Sequence, residues 1–133
     1  MSLHTAMQNN LPPFARHLGF IITEATLERI VAELVVRDDL GNGNGTMHGG
    51  ALMAFADTLG AIATIANIPR EAKTTTLESK TNFVTGAPIG ITLIGEATPI
   101  HRGRTTQVWQ TRITRQDGKL VALVTQTQLV MGG

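Results

Sequence analysis

The chain has 133 residues, 42% of them hydrophobic, which suits one compact domain able to bury a core of its own. Lys and Arg number 11 against 10 Asp and Glu, a formal net charge of +1, so neither a nucleic-acid groove nor a polybasic membrane patch is expected. Cysteine is absent, which excludes a disulfide framework, a thiolate metal site and a cysteine nucleophile and leaves oxygen and imidazole to carry any chemistry.

Residues 1–13 lack a basic segment followed by an apolar one, so no secretory signal is expected and the cytoplasm is the expected location. Pro12 and Pro13, ahead of Phe14 to Leu18, predict a short helix with proline in its first turn, stopped by Gly19 and suited to a lid or plug. Phe20 to Thr23, then Ile30, Ala32, Leu34 and Val36 alternating with their neighbours, predict a hairpin. Asp38-Asp-Leu-Gly-Asn-Gly-Asn-Gly45 is dense in residues that tolerate positive φ and reads as an irregular loop.

The run after Gly50 through Ala66 is rich in Ala, Leu, Met and Phe and is closed by Pro69, which predicts one long helix. Its apolar stretch is broken by Asp57 and Gly60 and is shorter than the ~20 residues that span a bilayer, so it is expected in a core. Thr74 to Val84, Ile89 to Ile100, Thr105 to Arg115 and Lys119 to Met131 carry β-branched alternation, punctuated by Gly86-Ala-Pro88, His101-Arg-Gly-Arg104 and Gln116-Asp-Gly118. Two strands, a long helix and four strands predict a single α+β domain over residues 1–133, one antiparallel six-stranded sheet wrapped around one helix.

Asp57 is the only charged residue between His48 and Arg70 and has no opposite charge at helical spacing. An unpaired carboxylate on an apolar helix costs several kcal/mol if ionised inside, so a buried Asp57 is expected to serve as a general base or nucleophile. The competing reading places it on a solvent-facing stripe or against a neighbouring loop. His48-Gly-Gly50 stands at the start of this helix, where backbone N–H groups lack intrahelical partners and the macrodipole is positive. Gly49 and Gly50, without Cβ atoms, suit an oxyanion hole; they equally suit close packing of loop on helix, and His48 equally suits a cap or a core position.

Gly49 and Asp57 are eight residues apart, hence roughly 12 Å along a helix at ~1.5 Å per residue. One carbonyl carbon cannot lie against both. If both serve one reaction, the N–H of one subunit must meet the carboxylate of another across a two-fold axis.

Asn42-Gly-Asn-Gly-Thr-Met-His-Gly-Gly-Ala-Leu-Met-Ala-Phe-Ala-Asp57 resembles the signature of the PaaI-like hotdog thioesterases, in the 4-hydroxybenzoyl-CoA thioesterase superfamily. The element order resembles that family from about Phe14 to Met131. The resemblance implies a hotdog fold and hydrolysis of a small aryl- or alkyl-acyl-CoA to free acid and CoA, with CoA part of the substrate and no separate cofactor. Asp57 would be the base or nucleophile, Gly49 the oxyanion-hole donor, Asn42 a support for the carbonyl end, and His48 a residue that shapes the loop and contacts the thioester. A Ser or Thr early in the strand after the helix would orient the water; Thr75 or Thr76 falls there, with Thr76 preferred.

The turn containing Arg102, Gly103 and Arg104 resembles the family's phosphate-binding turn, and guanidinium suits phosphate; a plain solvated turn is the alternative. Gly50 and Phe83 are candidate substrate-binding residues, and Phe83, Met53, Phe55 and Leu59 are candidates for shaping the acyl pocket. The implied assembly is a homodimer with shared active sites, or a homotetramer, with no nucleic-acid or membrane partner. Residues 41–50 lack the Lys-Ser/Thr of a P-loop and the βαβ setting of a Rossmann unit. His4, His17, His48 and His101 lack metal-ligand spacing, so no metal is expected, and Ser2 and Ser79 lie outside any nucleophile elbow. Two rival functions remain: hydration or dehydration of an acyl thioester by a His–carboxylate pair, and non-catalytic acyl-CoA binding.

Overall fold

In the computed structural model, which describes all 133 residues, the chain forms α1 (Leu3–Asn9), α2 (Pro13–Leu18), β1 (Ile21–Ala25), β2 (Ile30–Val35), α3 (Gly49–Ala66), β3 (Lys73–Phe83), β4 (Thr92–Arg102), β5 (Thr106–Arg115) and β6 (Leu120–Met131). The six strands make one antiparallel sheet in the order β1-β2-β4-β5-β6-β3, as their alternation predicts. The loop of residues 38–45 is irregular except for a 3-10 turn at Asp38–Leu40. Helix α2 carries proline at its start and ends at Gly19, whose φ of 81° only glycine adopts easily.

Helix α1 is absent from the sequence expectation because it buries no residue and so has no apolar stripe to betray it. Its function is polar. Gln8 Oε1 accepts the Ile22 N–H at 2.7 Å and Gln8 Nε2 donates to the Phe20 carbonyl at 3.2 Å, so one side chain stands in for a neighbouring strand along β1. That closes one edge of the sheet; the other edge, β3, is open.

Helix α3 starts at Gly49 itself, two residues earlier than the apolar run suggests, because His48 caps it. Leu52, Phe55, Ala56, Leu59 and Ala63 are buried against the sheet, each large side chain contributing about 1.5–3 kcal/mol by removal from water. Phe55 stacks at 5.4 Å on Phe20, and β4 presents Gly95 where a Cβ would meet Phe55 and Leu59 within 3 Å. At the far end Asn67 donates to the carbonyls of Ala63 and Leu27, fastening the helix to the β1–β2 turn.

The inner face of the sheet changes character across its width. Gln107, Thr111, Gln126 and Gln128 are buried on β5 and β6, and opposite them β3 turns Thr76, Ser79 and Thr81 toward the helix. A β-bulge between Thr76 and Glu78 makes this possible: strict alternation from Thr76 would send Glu78 inward, and the extra residue, Leu77, sends Ser79 inward instead. On the outer face Arg29 bridges Glu24 and Glu96, and the hydrogen bond with Glu96 chiefly holds its guanidinium pKa above the ordinary value.

Candidate active site

The loop before α3 is braced on three sides. Asn42 N–H donates to Thr46 O, Met47 N–H to Ala87 O, and His48 N–H to Leu40 O. The bracing aims the first helical turn. His48 Nδ1 then accepts the Gly50 N–H at 2.8 Å, while the Ala51 and Leu52 N–H groups reach the His48 carbonyl. Gly49 is left as the first-turn amide with no acceptor in the chain, the condition an oxyanion donor requires. A Cβ on Gly49 would come within 3.2 Å of the Phe83 ring, so glycine also admits that ring.

Two turns further on, Asp57 is half-buried beside an open pocket of about 310 Å³ that it shares with Gly50, Met53, Ala54, Thr76 and Ser79. It has no ion pair. Its Oδ1 accepts the Thr76 hydroxyl at 2.6 Å and the Gln126 amide at 3.2 Å, whereas Oδ2 makes no hydrogen bond. Thr75, one residue away on the strand, is exposed, so the register places Thr76 and not Thr75 at the carboxylate.

Gly49 lies in a different pocket, also about 310 Å³, walled by Phe83, Leu52, Met47 and residues 84–87. A third, of about 350 Å³, lies between α2 and the loop, lined by Phe14, His17, Asp39, His48 and Gly50 among others. One chain thus brings Asp57, Thr76, Gly50 and Met53 together, and Gly49 with Phe83, but does not join the two groups. Asn42 joins neither: it is exposed and closes its own loop, donating to Thr46 Oγ1 at 2.7 Å and accepting the Asn44 N–H at 2.8 Å. Phe55 and Leu59 are fully buried core residues and line no pocket, because their face of α3 is the one turned to the sheet.

Arg102 is held at the far end of α3, donating to Leu27 O at 3.2 Å and Asn67 Oδ1 at 3.3 Å, with Glu28 at 3.7 Å. Asn67 is ten residues past Asp57, so this turn stands roughly 15 Å along the helix from the carboxylate. Gly103 has His101 and the Thr106 carbonyl where a Cβ would go, and Arg104 is exposed without an ion pair. Gln126 and Gln128 are not among the sequence-predicted residues, and Ser79, set aside there as a nucleophile, lines the Asp57 pocket. The available signal was a pair of glutamines at alternate positions in a strand otherwise apolar on its inner face, Val121 to Val130.

The chain matches the model of the thioesterase superfamily over residues 44–122. A Vibrio cholerae protein with a provisional esterase name is 36% identical over 107 residues, 80% of this chain and 71% of that one. The Escherichia coli PaaI protein of the phenylacetic acid degradation operon superposes with a TM-score of 0.86 at 28% identity, covering 97% of this chain and 91% of that one. A hypothetical thioesterase protein of Streptococcus pneumoniae, solved with coenzyme A, gives 0.80 at 27% identity over 86% of this chain and 87% of that one. With its six-stranded sheet around one helix, the chain belongs to the thioesterase superfamily, as a PaaI-like hotdog thioester hydrolase.

Proposed function

We propose that this acyl-CoA thioesterase hydrolyses small aryl- or alkyl-acyl-CoA esters in active sites that each draw Asp57 from one subunit and the Gly49 N–H from another. The observation that carries this reading is the arrangement on α3: an unbonded carboxylate oxygen at Asp57 and an unbonded amide at Gly49, in separate pockets of the same helix. Two such helices running antiparallel about a two-fold axis align Gly49 of each with Asp57 of the other, with Met53 at the midpoint. The open edge at β3 supports this pairing, as do the exposed apolar side chains of Leu77, Phe83 and Val84 along it. Back-to-back packing of two such dimers into a tetramer would leave these sites unchanged.

In the proposed reaction the acyl oxygen accepts the Gly49 N–H, where the positive helix end stabilises the charge of the tetrahedral intermediate. Asp57 either takes a proton from water as the water oxygen bonds to the carbonyl carbon, or bonds to that carbon itself and is later released by water. The C–S bond then breaks and the CoA thiolate leaves. Water and the chain's own groups suffice, with no cofactor. Arg102 and Arg104, in a turn roughly 15 Å along α3 from Asp57, are the groups proposed to meet the CoA phosphates. His48 Nδ1 is taken up by the helix cap, which disfavours the hydratase chemistry that pairs a histidine with the carboxylate.

The test is release of free CoA thiol from a panel of aryl- and alkyl-acyl-CoA substrates by wild type, Asp57→Ala and Asp57→Asn at matched folding. Hydrolysis by wild type with a loss of at least ~100-fold in both variants is expected. Ligand binding without thiol release, or variants as fast as wild type, refutes it.

A further inference from the structure

Gln126 is almost completely buried on β6, yet its carboxamide points at the backbone of α3. A Cβ on Gly60 would lie 2.2 Å from its Cδ and 2.5 Å from its Nε2, so only a glycine at that helical position admits it. Glycine inside a helix and an amide inside a core both lower stability. Gln126 Nε2 donates to the Asp57 main-chain oxygen and to Asp57 Oδ1, both at 3.2 Å, while its Oε1 has no partner.

The second contact on Oδ1 is wired just as firmly. A carboxylate only accepts, so Thr76 must give its single hydroxyl proton to Asp57. Its oxygen then has to receive, and Gln128 Nε2 donates to it at 2.6 Å, with Gln128 Oε1 fixed in turn by the Thr74 hydroxyl at 2.8 Å. The amide orientation follows from the network. Both donors therefore converge on one oxygen.

We propose that Gln126 and the Gln128–Thr76 pair are positioning residues that clamp Asp57 through Oδ1 and thereby make Oδ2 the reacting oxygen. This rests on the hydrolase reading and adds to it the identity of the atom and of the residues behind it. The clamp fixes the carboxylate rotation, so Oδ2 meets the acyl carbon or its water along one line.

The experiment compares kcat and KM for thiol release in wild type, Gln126→Met, Gly60→Ala and the double variant Gly60→Ala/Gln126→Ala. In the double variant the new methyl on residue 60 occupies space the amide vacated. Gln126→Met and Gly60→Ala are expected to lower kcat about 10- to 100-fold, as misplacement of a reacting group does, with KM within about twofold. The double variant should fold like wild type and stay slow. Recovery of kcat along with stability in the double variant overturns the proposal, as does full kcat in a folded Gln126→Met. Should wild type release no thiol from any substrate, the hydrolase reading fails on its own. The clamp is then read in proton–nitrogen NMR spectra: the Gln126 side-chain signals, identified by their loss in Gln126→Met, must move in Asp57→Ala, and signals that stay put overturn it.

Discussion

His48 Nδ1 accepts the Gly50 N–H at 2.8 Å, so the histidine that opens the helix caps it, with its ring proton on Nε2. The bond removes Gly50 from the donors available to a substrate and leaves Gly49 in front. His48→Ala should lower stability by about 1 kcal/mol, the usual worth of an N-cap, and slow thiol release by letting the first turn fray. His48→Asn, a good cap, should restore both. Urea denaturation and steady-state rates check this; stability regained without rate would show that the ring itself touches the thioester.

The proposed sharing of active sites between subunits predicts complementation between defective subunits. Co-folding Asp57→Ala with Gly49→Val should regenerate about one quarter of wild-type activity, since half of the dimers are mixed and each holds one site with both groups intact. Activity no higher than that of either variant alone would overturn the sharing of sites between subunits.

The midpoint geometry can be trapped directly, because the chain contains no native cysteine. Met53→Cys is expected to give a disulfide-linked dimer under mild oxidation, as the proposed two-fold axis would bring residue 53 to its own copy within the short reach of a disulfide. Non-reducing electrophoresis reads the result; a variant that stays monomeric under oxidation counts against antiparallel pairing of α3.

Arg104 is exposed and free of ion pairs, whereas Arg102 is tied to Leu27, Asn67 and Glu28. Arg104→Ala should therefore raise KM for acyl-CoA substrates without lowering kcat, and leave the kinetics of truncated N-acetylcysteamine thioesters, which lack phosphates, unchanged. An equal effect on both substrate types would remove Arg104 from phosphate binding.

Arg37 fastens the end of α2, donating to the His17 and Leu18 carbonyls, each at 2.7 Å. Gly19 follows at φ 81°, where a Cβ would sit 2.5 Å from Arg37 Nη1. Gly19→Ala is expected to cost about 1 kcal/mol or more through its left-handed backbone and this clash, and Arg37→Ala about 1–2 kcal/mol through lost charge-assisted bonds. Thermal and chemical denaturation measure both; unchanged midpoints would show that α2 is not held this way.

The long helix, the six strands and their bounds within a few residues were determined by local pattern alone: alternation at Ile30 to Val36, an apolar run ended before Pro69, glycines at the turns. The same stretch displayed Asp57, His48 and Gly49, because a lone charge and a glycine pair stand out against an apolar background. Only tertiary structure decided what each polar group does. The bulge at Leu77 chose Ser79 over Glu78 for the interior, and register across β3 and β6 brought Gln128 to Thr76 and Gln126 to Asp57. Helix α1 closed one sheet edge through a single glutamine that no periodicity marks. Periodicity records which side of an element faces the core; it carries no information about which partner, dozens of residues away, a polar side chain meets there.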